Sequence, residues 1–175
     1  MVETTRLKIF PLKYDQVLKY IENKNELEKE LGLVESNWLL SEHLIKMLRM
    51  KMLPVLKQKC DAVDCEVENF MYNTIWLVVD KSLNAIVADF GVKGEPNSEG
   101  EIEIGYGTHA PFQNKGYITE AIGSFVSWEM HKAEVKFIIA ETDNDNISSI
   151  RVLEKNNFEV YRTSDKSKWW RRLVN

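Results

Sequence analysis

Alternation of apolar and polar residues predicts a strand near the middle of the chain, followed by residues at helical spacing. The predicted strand is EIEIGYGT, residues 101–108, in which Ile and Tyr side chains alternate with Glu and Gly. Pro111 ends the strand because it has no N–H to donate to a sheet. The apolar residues after it recur at helical spacing, namely Ile118, Ala121, Ile122, Phe125, Val126 and Met130. The pattern therefore predicts a strand, a tight polar turn over 113–116 and an amphipathic helix that ends near Lys132.

The N-terminal part of the chain predicts one strand and then helices. The predicted elements are a strand over 4–12, a helix over 14–31 interrupted near 23–25 and stopped by Gly32, a helix capped by Ser41 that Pro54 breaks or kinks, and a polar connector over 58–69. The Met-rich stretch MLRMKMLPVL, residues 47–56, has two interpretations. It lines an adaptable apolar substrate groove, or it packs as an ordinary helix.

The rest of the chain alternates strands and helices. The predicted elements are strands over 74–80 and 85–92, the loop 94–100 that forms a hairpin with the strand 101–108, a strand over 135–141, a helix capped within 143–146 that ends at Asn156, and a terminal hairpin of 158–162 and 168–174. Asn157 is expected in the left-handed conformation that follows a helix. This order indicates an α/β (α+β) fold with a sheet of mixed direction. A length of 175 residues without linker or repeat fits one domain over 1–175.

Composition and charge narrow the function classes. A net charge of −4 and a pI near 5.5 argue against a general nucleic-acid binder. No apolar run approaches the roughly 18 residues of a membrane span, and the N-terminus lacks the apolar core of a signal peptide, so a cytoplasmic location away from membranes is expected. Cys60 and Cys65 have no second Cys pair or nearby His to complete a zinc set. Free thiols and no metal are therefore expected.

The turn before the long helix has the features of an anion site. The first turn of a helix has N–H groups without partners, and the helix dipole places partial positive charge there. Gly116 lets the backbone approach a ligand closely, and Lys115 adds a full positive charge. The combination favours a phosphate group, although Gly116 has the alternative interpretation of a simple turn glycine.

Three blocks of sequence, in order along the chain, support a single interpretation. They are TRLKIFPL over 5–12, QNKGYITEA over 113–121 and NISSIRVLEKNNF over 146–158. The middle block resembles the Q/R-x-x-G-x-G/A acyl-CoA loop of the GNAT superfamily of N-acetyltransferases, in the GYxTEA form of the branch that includes ribosomal-protein N-terminal acetyltransferases. The first and third blocks resemble that branch's T-x-R-L-x-L-R-x-L strand and its N-x-x-S-x-x-V-L-E-K-x-G-F helix. The stretch 35–72 carries no such resemblance.

The resemblance implies how a cofactor would bind. The fold would be a GNAT-like, mostly antiparallel central sheet flanked by helices on both faces, with a V-shaped splay between the central strand and the strand after the long helix. The pantetheine arm of acetyl-CoA would enter that gap and pair with the backbone of Gly107 and Thr108. The residues implied to hold the pyrophosphate, mostly through N–H groups, are Gln113, Asn114, Lys115, Gly116, Tyr117, Ile118 and Thr119. Asn146 is implied as a further cofactor contact and as a helix N-cap. Ile118 replaces the family's Gly or Ala, so its side chain must point away from the phosphates.

Acetyl transfer to an amine requires an unprotonated amine, a donor for the oxyanion and a departing thiolate. The family usually transfers the acetyl group directly within a ternary complex, which needs no Cys nucleophile. Glu141, at the end of the far strand, is the first candidate for the catalytic base, and Glu103 and Glu101 are its rivals. Each of the three is otherwise a surface carboxylate. Ser149 is the candidate donor to the thiolate, or else a helix-face serine, and Leu153 occupies the position where many members place a Tyr acid.

Two further groups have open interpretations. His109, beside the predicted site, either shuttles a proton or has no catalytic task. The run Trp169–Arg172 on the last strand either stacks on and grips an acidic acceptor or reflects ordinary alternation of burial.

The sequence therefore predicts an acetyl-CoA-dependent N-acetyltransferase that acts on a primary amine, either a protein N-terminal α-amino group or a small amine. The alternative is a GNAT-like domain that binds CoA or acyl-CoA without catalysis, as a sensor or scaffold, which Leu153 and Ile118 favour. A nucleotide phosphate binder of another fold is disfavoured because the P-loop and paired-glycine fingerprints are absent. The acceptor stays open, and so does the oligomeric state, with a homodimer among the options.

Overall fold

The chain folds around a mixed sheet. In the computed structural model, which describes residues 1–60 and 70–174 and only the backbone of Cys60, eight strands follow the order β1-β2-β3-β4-β5-β6-β8-β7. They are β1 Val2–Glu3, β2 Leu7–Pro11, β3 Ile75–Asp80, β4 Ala85–Val92, β5 Glu101–Thr108, β6 Phe137–Asp143, β7 Glu159–Thr163 and β8 Ser167–Leu173. Neighbouring strands are antiparallel except β5 and β6, which are parallel. The prediction of a mixed, mostly antiparallel sheet is confirmed.

Helices cover both faces of this sheet, as predicted. In the described ranges they are α1 Tyr14–Glu22, α2 Lys24–Glu30, α3 Glu42–Met47, α4 Leu53–Cys60, α5 Tyr117–Glu129 and α6 Ile147–Lys155. One face buries a cluster shared by α1, α2 and α4 with β3, which includes Val17, Leu27, Leu56, Ile75 and Leu77. The other face buries a cluster shared by α5 and α6 with β3 and β4, which includes Trp76, Phe90, Phe125, Ile150 and Leu153. All six residues of β3 are buried because apolar layers cover it from both sides.

The N-terminal strand is shorter than predicted. It begins at Leu7 because the chain turns at Thr4, whose Oγ1 accepts hydrogen bonds from the N–H groups of Arg6 and Leu7 at 3.2 and 2.8 Å. Val2 and Glu3, before the turn, pair back on β2 as a short edge strand.

The helical breaks fall where the sequence predicts them. Asn23 ends α1 and caps α2, with its side chain accepting from the Glu26 N–H at 3.3 Å. Gly32 follows α2 with a φ of +67°. Ser41 caps α3, accepting from the Leu44 N–H at 3.2 Å.

Pro54 does not break the helix that contains it. A π-helical turn over Leu48–Met52 joins α3 to α4 without interruption, with the Leu53 N–H donating to the Leu48 carbonyl. Pro54 follows directly after this turn, and the helix continues to Cys60. Met52 is buried in the core while Met50 is exposed, which supports packing as the role of this stretch. Residues 61–69 of the predicted connector lie outside the described residues, as do Cys65 and the side chain of Cys60.

The C-terminal elements follow the prediction closely. Strand β6 begins at Phe137, two residues later than expected, and β7 and β8 form the predicted hairpin. Asn157 has a φ of +56°, so the left-handed end of α6 is confirmed. Among the helices of the described residues, none has the length and apolar character needed to cross a membrane.

The sheet opens between β5 and β6. These two strands pair from Glu101 opposite Phe137 to Ile104 opposite Ala140 and no further. Beyond that point β5 pairs only with β4, and β6 pairs only with β8. The predicted gap is therefore present, and β5 leads from it through the 3₁₀ turn Ala110–Phe112 to the N-terminus of α5.

Candidate active site

The turn between β5 and α5 presents backbone donors. Asn114 and Gly116 have φ angles of +61° and +76°, so the chain curls sharply before the helix begins. The N–H groups of 116–119 donate to no acceptor within residues 1–60 and 70–174. Four aligned donors at the positive end of a 13-residue helix form a cradle for an anion such as phosphate.

Arg6 adds a second positive charge beside Lys115, a role that the sequence analysis did not predict for it. Its Nη2 donates to the Lys115 carbonyl at 3.1 Å, and its Nε donates to Glu120 at 2.6 Å. The Thr4 hydroxyl donates to the same carboxylate at 2.6 Å. The guanidinium also lies 4.7 Å from the centre of the Tyr117 ring. The N-terminal segment thus holds the turn in place, while the Arg6 side chain stays 42% exposed toward any ligand there.

The side chains of this turn divide into two groups. Tyr117 and Ile118 are buried in the core, which leaves only their backbone N–H groups to face a ligand. Gln113, Asn114 and Lys115 are exposed. A phosphate at this turn would therefore meet backbone donors and flexible polar side chains, with no apolar side chain in the way.

The gap between β5 and β6 is bridged near its base by a side chain. The Tyr106 hydroxyl donates to the Ser149 carbonyl at 3.0 Å and so connects β5 to the first turn of α6. Burial raises the pKa of Tyr106. Asn146 caps α6, since its Oδ1 accepts from the Ser149 N–H at 3.1 Å and from the Ser148 hydroxyl at 3.0 Å. The predicted capping role of Asn146 is confirmed, and its contact with a cofactor stays a prediction.

The three candidate glutamates differ in their surroundings. Glu141 is exposed on β6 just past the last pair with β5, and its side chain has no hydrogen bond or ion pair with the described residues. Glu103 forms an ion pair with Lys93, and Glu101 accepts from the Asn97 amide at 3.1 Å. Glu101 and Glu103 both lie on the part of β5 that pairs with β6, and so outside the gap. Glu141 therefore differs from its two rivals in position and in partners, and its role as the base stays a prediction.

The two tryptophans of β8 face opposite sides of the sheet. Trp170 is buried, and its Nε1 donates to the Thr142 hydroxyl at 2.9 Å. Trp169 is half-buried and lies opposite Glu141 in the β6–β8 ladder, with the Arg162 guanidinium 6.0 Å from its ring centre. Burial alone explains Trp170, while Trp169 borders the surface beside Glu141.

A cavity of about 230 Å³ lies beside the open end of β5. Its apolar wall comes from the segment before α3 and from α3 itself, and its polar wall comes from the sheet. The residues that line it include Leu39, Leu40, Leu44, Asp89, Gly107 and His109. Gly107 and Thr108, the residues implied to pair with pantetheine, therefore border both the gap and this cavity.

Asp89 is the buried acid of the cavity. The Tyr20 hydroxyl donates to its Oδ2 at 3.0 Å, and His109 Nε2 lies 3.3 Å from the same oxygen. Burial raises the pKa of Asp89 to about 7, against a smaller opposing effect from the Tyr20 hydrogen bond. Burial, reinforced by the charge of Lys24, lowers the pKa of His109 to about 3, so the imidazole is neutral. The carboxyl group thus changes its charge near neutral pH while its histidine neighbour does not.

Trp38 covers the other side of His109. The two rings stack with centroids 3.5 Å apart and planes inclined by 16°. Lys24 Nζ lies 4.5 Å from the Trp38 ring centre and forms a buried ion pair with Glu28 at 3.0 Å. Glu28 also accepts from the Ser36 N–H at 3.0 Å, which anchors the segment that carries Trp38 to α2. Helix α2 therefore anchors the segment that continues into Leu39 and Leu40, which line the cavity.

Sequence reasoning missed Tyr20 and Asp89 as members of one site, whereas it expected Trp38 in the core or in a pocket wall. The available signal was Asp89 itself, a single acidic residue inside the otherwise apolar strand AIVADFGV. An acid buried in a strand requires partners, but nothing local identifies Tyr20 or His109 as those partners. No group of three or more His, Cys, Asp or Glu side chains among the described residues is arranged to hold a metal ion.

Comparison with known proteins identifies the family. Residues 46–159 match the family model described as the acetyltransferase (GNAT) domain, which covers well over half of the chain. The chain therefore belongs to the GNAT acetyltransferase family. It is 35% identical over 95 residues to YjdG of Bacillus subtilis (strain 168), described as an uncharacterized N-acetyltransferase. That match spans 54% of this chain and only 56% of the relative.

Solved structures agree on the fold. The ribosomal-protein-S5-alanine acetyltransferase of Vibrio fischeri superposes with a TM-score of 0.66 at 14% identity, over 99% of this chain and 96% of the other. RimL, a ribosomal L7/L12 alpha-N-protein acetyltransferase solved in complex with coenzyme A, gives a TM-score of 0.61 at 12% identity, over 97% and 95% of the two chains. At such identities these likenesses establish the GNAT fold, and the ligands of those proteins are not thereby carried over.

Proposed function

We propose that this protein is an acetyl-CoA-dependent N-acetyltransferase that transfers an acetyl group directly to a primary amine. The observation that carries the proposal is the set of free N–H groups over 116–119, placed where β5 leaves its partner β6. An anion cradle at the mouth of a strand gap suits a ligand with a phosphate end and an extended amide arm. Acetyl-CoA has both features.

The proposed cofactor contacts follow the geometry. The pyrophosphate would lie on Gln113–Thr119, with Arg6 and Lys115 supplying positive charge nearby. The pantetheine arm would use the unpaired edge of β5 at Gly107 and Thr108, since β6 no longer pairs there. Asn146, on the opposite side of the gap, would contact the arm while it caps α6.

The proposed chemistry uses groups at the same gap. When bound, acetyl-CoA supplies an activated acetyl group, and the protein has to deprotonate the amine and assist the departing thiolate. Glu141 is the proposed base on the β6 side. Ser149, half-buried in the first turn of α6, is the proposed hydrogen-bond donor to the thiolate. Leu153 is fully buried in the core and takes no part.

The proposed acceptor is a protein N-terminal α-amino group or a small amine. The cavity of about 230 Å³ next to Gly107 is smaller than most drug-sized ligand pockets and would hold a slim group. We further propose that residues 1–175 act as one domain in the cytoplasm, in line with the ribosomal-protein acetyltransferases among the similar folds. A homodimer is compatible with this proposal and is not required by it.

Calorimetric titration with acetyl-CoA tests the cofactor site. The wild type should bind with a Kd in roughly the micromolar range, and Gly116→Ala should weaken binding by about tenfold. The reason is that an alanine at φ +76° strains the turn by about 1–2 kcal/mol and shifts its N–H groups. Gly32→Ala is the matched control, because Gly32 has a φ of +67° and open space around it but lies after α2.

The outcomes separate the hypotheses. Loss of binding in Gly116→Ala but not in Gly32→Ala supports the cofactor site, and release of CoA thiol with an amine acceptor supports the transferase. Absence of binding to the folded wild type would contradict the proposal. Binding without thiol release across a panel of peptide and small amines would favour a CoA-binding domain without catalysis.

A further inference from the structure

Asp89 faces the open part of the cavity. It lies directly opposite Gly107 in the β4–β5 ladder, and a Cβ built on Gly107 would meet no atom within 4 Å. The space in front of the carboxylate is therefore not filled by its cross-strand neighbour. Both polar contacts of Asp89 with the described residues use Oδ2, from Tyr20 and His109. Its Oδ1 is left for a ligand in the cavity.

An ionised carboxylate buried in this position destabilises the folded protein unless a cation pairs with it. Asp89 is only 4% exposed, and apolar side chains form the opposite wall of the cavity. Lys24 is the positively charged side chain closest to this group of contacts. It is already paired with Glu28 and lies over the Trp38 ring. The other titratable groups that face Asp89 are the Tyr20 hydroxyl from α1 and the neutral His109. An ammonium group is the ligand that would satisfy this charge.

We propose that Asp89 binds the ammonium group of the acceptor through Oδ1 and takes its proton, while Tyr20 and His109 hold the carboxylate in position. The inference rests on the proposed function and deepens it. Glu141, the proposed base on β6, lies in solvent, whereas Asp89 lies in the cavity next to Gly107 and Thr108. We therefore assign the first proton transfer to Asp89 in place of Glu141.

The step balances as follows. One N–H bond of the ammonium breaks, and its proton moves to Asp89, which leaves a lone pair on nitrogen. That lone pair forms the C–N bond to the acetyl carbonyl carbon, and the C–S bond breaks with its electron pair on sulfur. The second nitrogen proton ends on the thiolate, which gives CoA thiol. Asp89 then returns its proton to solvent.

The raised pKa of Asp89 agrees with the assignment made from geometry. A general base works best when its pKa lies near the operating pH, and burial raises the pKa of Asp89 to about 7. An α-amino group, with an ordinary pKa of about 8, is close enough for proton transfer to be only slightly uphill. Neutral His109 can donate Nε2–H to the ionised carboxylate and accept from the protonated acid, so it fits both states.

Three variants test the inference. Asp89→Asn removes the base and keeps the shape of the side chain. Tyr20→Phe removes the hydrogen bond that lowers the pKa of Asp89 and should move that pKa upward. Glu129→Gln is the matched control, because Glu129 is also fully buried, accepts from Tyr72 at 3.2 Å and has a pKa raised to about 7 by burial, yet does not line the cavity.

The first readout needs no acetyl-CoA. Carbon NMR of the wild type, with ¹³C-labelled aspartate carboxyl groups, should show one resonance that titrates near pH 7. That resonance should be absent in Asp89→Asn and titrate at higher pH in Tyr20→Phe. A wild type in which every aspartate titrates near the ordinary value of about 4 would overturn the inference.

The second readout is the pH profile of acetyl transfer. The acidic limb of kcat/KM should lie near pH 7 in the wild type and in Glu129→Gln, and at higher pH in Tyr20→Phe. Asp89→Asn should lose about 100-fold in kcat/KM and lose that limb, while its Kd for acetyl-CoA stays within about twofold. An Asp89→Asn enzyme with the wild-type rate and limb overturns this inference alone, whereas a wild type that binds no acetyl-CoA overturns the proposed function as well.

Discussion

Trp38 lies flat against His109, with ring centroids 3.5 Å apart. This contact joins the segment between α2 and α3 to the end of β5, two parts of the chain that share no secondary structure. The same indole has Lys24 over its ring, so the stack also ties the cavity wall to α2. Trp38 therefore connects α2 and the segment before α3 to the end of β5.

Replacing Trp38 should impair use of the amine more than binding of the cofactor. Trp38→Ala removes the ring that orients His109, and we expect KM for the amine to rise and kcat/KM to fall by about tenfold or more. Unfolding free energy should fall by less than the roughly 3–5 kcal/mol typical of fully buried Trp→Ala changes, because Trp38 is half-buried. Steady-state kinetics and denaturant titration measure both effects.

The control for this change is Trp38→Phe, which keeps an aromatic ring against His109 and should retain most activity. Equal loss in both variants would show that stacking is not what matters. A large loss of acetyl-CoA affinity in Trp38→Ala would contradict its placement on the acceptor side.

Arg6 should contribute to acetyl-CoA binding although it lies far in sequence from the turn before α5. Arg6→Ala removes the hydrogen bonds to Lys115 and Glu120 and one positive charge at the turn. We expect acetyl-CoA affinity to fall by roughly three- to tenfold, since hydrogen bonds involving charged groups contribute about 1.5–3 kcal/mol and exposure reduces that value. Calorimetry at low and high salt measures it, and the difference should shrink as salt rises.

The matched control is Arg49→Ala. Among the described residues, the one ion pair of Arg49 is a long contact with Glu22 at 3.8 Å on the surface, away from the turn. Its loss should leave acetyl-CoA binding unchanged, and an equal effect of the two substitutions would indicate a general charge effect in place of a local one.

Glu129 should make the protein less stable as pH rises. Burial raises its pKa to about 7 in the folded state, against about 4.3 in the unfolded chain. Between these values the unfolded chain has released the proton that the folded protein keeps, so stability falls by up to about 1.4 kcal/mol per pH unit. Above pH 7 both states are ionised and the loss is complete.

Glu129→Gln removes this penalty. We expect the variant to unfold at a higher temperature than the wild type at pH 8 and at a similar temperature near pH 4. Thermal unfolding followed by circular dichroism across this range checks the sign. A wild-type advantage that grows toward pH 8 would refute the assignment of a raised pKa to this residue.

Ser149 and its neighbour Ser148 form a natural pair of variants. If Ser149 donates to the departing thiolate, Ser149→Ala should lower kcat by about tenfold and leave the Kd for acetyl-CoA nearly unchanged. Ser148 points its hydroxyl at Asn146 on the exposed end of α6, so Ser148→Ala should retain the wild-type kcat. Rapid-quench measurement of the acetyl-transfer step would separate this effect from product release.

Local features of the fold could be predicted from the sequence because their causes are local. The interruption near Asn23, the stop at Gly32 and the left-handed Asn157 each depend on residue types in their immediate context. The turn at Gly116 was predictable for the same reason. The effect of Pro54 was harder to predict, because whether a proline ends a helix depends on the conformation of the turn before it. Here a π-helical turn precedes Pro54 and the helix continues.

The acceptor side of the site could not be predicted because its contacts are remote in sequence. Tyr20 and Asp89 are 69 positions apart, and Tyr20 and His109 are 89 positions apart. Periodicity identifies which residues face inward, but it does not say which inward-facing residues meet. Arg6 was missed for the same reason, since its partner Glu120 lies 114 positions away.

The family model begins at residue 46, whereas Tyr20, Lys24 and Trp38 all precede it. The portion shared with the family therefore contains the strand gap and the phosphate turn, and the portion outside it supplies one wall of the cavity. One wall of the cavity therefore lies in a stretch that the family model does not cover. If the cavity takes the amine, as proposed, related chains that differ in the segment before α3 should differ in the amine they accept, and a graft of that segment should carry acceptor preference with it.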